Sequence, residues 1–115
     1  MERNIIICGY NIREAEGVAM MYIKYAGDND MKVSFVTDSN RRVHVRLGEI
    51  QSRYILKGDA EVLVASDVYE AVRNIDYLKT EGKVRITENY IMTDERYMRY
   101  SKKKCYEYLR SLKLI

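Results

Sequence analysis

Two short apolar runs, Asn4 to Cys8 and Glu61 to Ser66, are each followed within a few residues by a capping residue and an amphipathic stretch. A continuous run of β-branched and aliphatic residues is the pattern of a strand buried on both faces. Asn11 after the first run, with Glu14 three residues on, reads as a helix cap, and Asp67 after the second reads the same way. Strand, helix, strand, helix in sequence leaves few options: crossover helices must lie against a largely parallel sheet.

The remaining elements fit that frame. Ala15, Val18, Ala19, Tyr22, Ile23 and Ala26 recur at helical spacing until Gly27-Asp28. Gly17 within this helix costs up to ~1 kcal/mol relative to Ala, and close packing on the sheet is the expected reason for it. Met31 to Thr37 reads as a strand and Asp38-Ser39-Asn40 as a turn. Arg42 to Leu47 alternates polar and apolar residues, so it is expected to be half exposed and antiparallel to its predecessor. Gln51 to Leu56 reads as a brief extended piece. A second helix is expected after Asp67, carrying Val68, Ala71, Val72, Ile75 and Leu78 as far as Gly82, with a last strand over Lys83 to Thr87. Asp94 to Leu112 reads as a long terminal helix with Met98, Ser101, Cys105, Leu109 and Leu112 on one stripe. The expectation is a single α/β domain over residues 1–115: three layers, a mixed, mostly parallel sheet of about five strands, crossover helices and a long C-terminal helix.

Charge separates the terminal segment from the rest. Thr93 to Ile115 holds seven basic residues against three acidic ones, which makes +4 of a total of +3 and leaves −1 elsewhere. No apolar run approaches the roughly 18 residues of a membrane span, and the N-terminal apolar run is too short for a signal-peptide core. Cys8 and Cys105 are the two cysteines and His44 the one histidine. Without paired ligand spacing, no metal site is expected. Two buried thiols in a reduced cytoplasm are expected instead, although the sequence leaves a bridge between them open. The absence of Pro and Trp and the wealth of Ile, Tyr, Arg and Lys point to a heat-adapted source.

From Ile5 to Ile91 the order of segments resembles the gamma-type domain of the 2-oxoacid:ferredoxin oxidoreductases, the pyruvate, ketoisovalerate and indolepyruvate enzymes. The segments are Glu16-Gly17-Val18 entering the first helix, Val45 to Ile50, Asp59 to Asp67, and Leu78 to Val84. The resemblance implies this fold and a common ancestry. In that family the thiamine diphosphate and iron–sulfur clusters sit on other domains, so no cofactor is expected here, and two cysteines cannot hold a four-cysteine cluster. The family's first loop, Gly-x-Gly-Gly-Gln-Gly-Val, is replaced by Gly9-Tyr10-Asn11-Ile12-Arg13-Glu14-Ala15-Glu16-Gly17-Val18, three residues longer and without the middle glycines. Its Arg-Gly-Gly is replaced by Arg41-Arg42-Val43.

Four groups of residues are candidate sites. Gly9, Tyr10, Asn11 and Gly17 lie where open α/β sheets bind ligands. There, however, side chains fill the space glycines would leave, and Glu14 and Glu16 repel phosphate. Arg96, Arg99, Lys103 and Arg110 with Tyr100 form a basic, tyrosine-bordered helix face able to meet nucleic acid, or simply to be solvated. His44 and Cys8 lack the positioned third group of a catalytic pair, and His44 is expected on the surface beside Arg42 and Arg46. No catalytic residue is assigned. Eleven tyrosines favour a protein interface. The leading expectation is therefore a non-catalytic interaction or subunit domain, partnered or homo-oligomeric. A nucleic-acid binder and a small-ligand or nucleotide binder, or an oxidoreductase accessory subunit, are the alternatives.

Overall fold

In the computed structural model, which describes residues 3–50, 52–87 and 100–115, five strands make one sheet. They are β1 (Asn4–Cys8), β2 (Val33–Thr37), β3 (Val43–Leu47), β4 (Ala60–Ala65) and β5 (Leu78–Ile86), in the order β2-β3-β1-β4-β5. β1 pairs parallel to β4 and β4 to β5, whereas β3 is antiparallel to both β1 and β2. Four strands thus run one way and only β3 runs against them.

Alternation along the central strands divides the core into two layers. Ile5, Ile7, Val43, Val45, Val62 and Val64 face the helix α1 (Ile12–Asp28), which presents Ala15, Ala19 and Ala26. Ile6, Cys8, Leu63, Ala65 and Val84 face α2 (Val68–Arg73) and α3 (Lys102–Ser111), which supply Val68, Ala71, Cys105 and Leu109. Small alanines let α1 approach the sheet closely, and the β-branched run suits a doubly covered strand. The three-layer α/β arrangement and the antiparallel β3 agree with the sequence.

Caps decide where helices start and stop. Asn11 accepts from the Glu14 N–H at 2.8 Å and Asp67 from the Glu70 N–H at 2.9 Å, as expected. α1 ends in a left-handed Asp30, after which the Met31 N–H reaches back to the Ala26 carbonyl at 2.8 Å. The same motif closes α3: Lys113 is left-handed, and the Leu114 N–H bonds the Leu109 carbonyl at 3.1 Å. It turns Leu114 into the core, where its carbonyl accepts the Val84 N–H at 3.3 Å and covers part of the β5 edge.

Four expectations need correction. The second helix stops at Arg73 because the Asn74 side chain donates to the Glu70 carbonyl at 2.9 Å, and β5 begins at Leu78 after a 3-10 turn over Ile75–Tyr77. The terminal helix is short among the described residues, residues 94–99 of the expected span lying outside them: Ser101 is its cap, accepting from the Lys104 N–H at 3.2 Å, and is no part of an apolar stripe. Leu112 at its end is exposed. Residues 52–56 form no strand, although Ile55 is buried. Gly17 is exposed, with nothing within 4 Å of where a Cβ would stand, so sheet packing does not account for it.

Candidate functional site

The carboxyl ends of β1 and β4 form the switch point of the sheet, because β1 leads to α1 on one face and β4 to α2 on the other. Ligands of open α/β sheets sit at such a crevice. In this chain the crevice is bridged by its own residues. The Ser66 N–H donates to the Cys8 carbonyl at 3.1 Å, and the Ser66 hydroxyl to the Gly9 carbonyl at 2.8 Å. Gly9 has φ +84°, and a Cβ there would stand 2.2 Å from the Ser66 Oγ and 2.6 Å from the Glu70 Cγ. Its role is close approach of the loop to α2. Tyr10 is buried at 5% exposure and its hydroxyl is hydrogen-bonded to the Thr87 Oγ1 just beyond β5. Burial also raises the Tyr10 phenol above its ordinary pKa.

The four candidate cofactor residues therefore separate. Gly9 and Tyr10 are spent on internal packing, Asn11 caps α1, and Gly17 lies on the exposed side of the same helix. Glu70 and Asp67, at the start of α2, add carboxylates beside the loop. Burial, followed by these two charges, pushes the Cys8 thiol far above its ordinary pKa. A thiol so held is a core side chain and a poor nucleophile. Cys8 and Cys105 are both free and buried.

His44 corrects the sequence reading most sharply. It is 2% exposed, in a strand β3 that is buried rather than half exposed, with Arg46 alone partly open. Its Nδ1 accepts the Ile55 N–H at 3.0 Å, and its Nε2 meets the Asp38 Oδ2 at 2.8 Å. An N–H can only meet a lone pair, so Nε2 carries the proton and donates to the carboxylate. The rings of Tyr54 and Tyr77 stand edge-on to it at 5.4 and 5.9 Å. Asp38 also accepts from the Arg42 Nε at 2.8 Å, and Arg42 continues to the Asn74 Oδ1 at 3.3 Å while stacking 4.7 Å over Tyr77. Burial of Asp38 opposes its ionisation, but the His44 and Arg42 hydrogen bonds outweigh it and hold the carboxyl below its usual pKa. The network ties the β2–β3 hairpin to the end of α2. It leaves neither imidazole nitrogen for a substrate.

The basic face is only partly within the described residues: Arg96 and Arg99 lie outside them. Lys103, Arg110 and Tyr100 are exposed, and the Arg110 guanidinium rests 5.6 Å over the Tyr106 ring. Sequence reasoning missed a groove of about 740 Å³ between α1 and β5, lined by Met21, Tyr22, Tyr25, Glu61, Lys83 and Arg85. The only signal for it was the polar alternation within β5. Its charges are of both signs, and the Arg85 Nη1 donates to the Tyr22 hydroxyl at 3.3 Å. Among the described residues no group of three or more His, Cys, Asp or Glu side chains could hold a metal ion, and no helix is long and apolar enough to cross a membrane.

The arrangement defines a three-layer α/β domain whose switch point is closed by its own side chains. Compared with known proteins, the chain matches no family model and no curated sequence.

Proposed function

We propose that this protein is a non-catalytic interaction domain, a subunit or self-associating module built on a gamma-domain-like α/β frame. The observation that carries the reading is the first loop, where Gly9 is pressed on Ser66 and Glu70 and Tyr10 is buried. A phosphate needs bare amides at a helix start, and here the Asn11 side chain takes the Glu14 amide at 2.8 Å. The internal use of His44 and Cys8 supports the same reading. So do Met20, Met21 and Phe35, large apolar side chains at 55%, 72% and 49% exposure. Thermal-shift measurements with nucleotides, coenzyme A and thiamine diphosphate should be flat, and affinity capture from a native extract, or self-association, should supply a partner. A saturable stabilisation by any of these ligands, or a strict monomer that captures nothing, would overturn the proposal.

The exposed Lys103, Lys104 and Arg110 with Tyr100 and Tyr108 favour nucleic acid as a second reading. It requires salt-dependent binding of single-stranded RNA or DNA, and absence of binding at low salt removes it.

A further inference from the structure

The two edges of the sheet are treated differently. β5 bears Lys79, Glu81, Lys83 and Arg85, has a register shift opposite Ala60 to Val62, and gives its Val84 N–H to the Leu114 carbonyl. Charges, irregularity and a covering tail are the usual means of blunting an edge. Among the described residues β2 at the other edge has none of them: Val-Ser-Phe-Val-Thr carries no charge and no proline, and its pairing with β3 is regular.

Hydrogen bonding fixes which groups of β2 point outward. The Asp38 N–H bonds the Arg42 carbonyl at 2.9 Å and the Gly48 N–H bonds the Lys32 carbonyl at 2.9 Å. In an antiparallel ladder bonded pairs alternate with non-bonded ones, so the even-numbered residues between these two bond β3. Val33, Phe35 and Thr37 consequently direct their N–H and C=O groups away from the sheet. On that edge Phe35 is 49% exposed. The flank of α1 on this side, opposite the one lining the groove over β5, adds Ile12 and Met20 at 53% and 55% exposure.

We infer that β2 pairs antiparallel with the β2 of a second copy of this chain about a two-fold axis through Phe35. The inference rests on the interaction reading above and names its partner and surface. An axis there sets Phe35 against the partner's Phe35 and Val33 against the partner's Thr37. Each is a hydrogen-bonded pair, giving about six backbone bonds across the axis. The same register brings Lys32, exposed, to the partner's Asp38, whose carboxylate is already held by its own Arg42 and His44, so the ends of the seam add no free ion pair. The outward donors and acceptors of Val33, Phe35 and Thr37 are symmetric about Phe35, so the edge is complementary to itself in this antiparallel sense, the isologous contact of a two-fold dimer. The exposed flanks of α1 then supply apolar area beside the seam.

Light scattering on the full chain should give twice the chain mass. Phe35→Lys, which sets two like charges face to face, should halve it while circular dichroism stays unchanged. Where Phe35→Lys fails to fold, cysteine pairing decides. Phe35→Cys should form a disulfide-linked dimer under mild oxidation, since paired Cα atoms stand about 5.5 Å apart. Thr37→Cys should not, because its counterpart lies about 13 Å along the strand. A monomeric wild type, a dimer unaffected by Phe35→Lys, or equal cross-linking through Thr37→Cys would overturn the inference. A monomer that nevertheless captures a different protein would leave the interaction reading standing and remove only this edge.

Discussion

Gly9 shows how one residue can close a site that the fold would otherwise offer. Its φ of +84° and its contact with Ser66 and Glu70 exclude any side chain. Gly9→Ala should cost about 2 kcal/mol or more, combining a left-handed backbone with overpacking. Urea unfolding of the variant measures this, and an unchanged midpoint would refute the contact. Next in the chain, Tyr10 does the opposite of what a glycine would do: it fills the space and ties the loop to Thr87. Its presence was legible in the sequence as a lost glycine, but its anchor on Thr87, 77 residues away, was not. His44 was misread for the same reason. Strand alternation placed it beside Arg42 and Arg46, and nothing local announces that Tyr54, Ile55 and Tyr77 come from distant segments to bury it.

At the level of elements, the sequence was most readable where periodicity and caps agree. β1, β4, α1 and the start of α2 follow from buried runs and from Asn11 and Asp67. It was least readable where two signals compete. Val68, Ala71, Val72, Ile75 and Leu78 keep helical spacing, but Asn74 uses its side chain to end α2 and releases Leu78 into β5. Ser101 sits at stripe spacing with Cys105, yet its hydroxyl caps the helix it was expected to lie within. Gly17 offers the cleanest test of α1. With open space around it and a helical position, Gly17→Ala should stabilise the protein by up to ~1 kcal/mol. Destabilisation in a denaturant titration would mean that this position has a close neighbour after all.

Across the molecule, the His44–Asp38–Arg42–Asn74 network ties the β2–β3 hairpin to the end of α2, and it predicts an acid-sensitive component of stability. The Asp38 carboxyl titrates lower when folded than when unfolded. Its contribution is therefore complete above the unfolded carboxylate range, near pH ~3.9, and is lost as pH falls through the folded value. The stability difference between wild type and Asp38→Asn should shrink below about that pH, and a difference that persists unchanged into strong acid would contradict the assignment. The switch point is occupied by the chain itself, and the proposed function puts contact with a partner on the surface rather than in the crevice. Amide chemical shifts during titration with ADP and with thiamine diphosphate report on this directly. The account predicts that the Gly9, Tyr10, Asn11 and Gly17 resonances stay in place at saturating ligand. Saturable shifts centred on those four amides would show a working ligand site and contradict it.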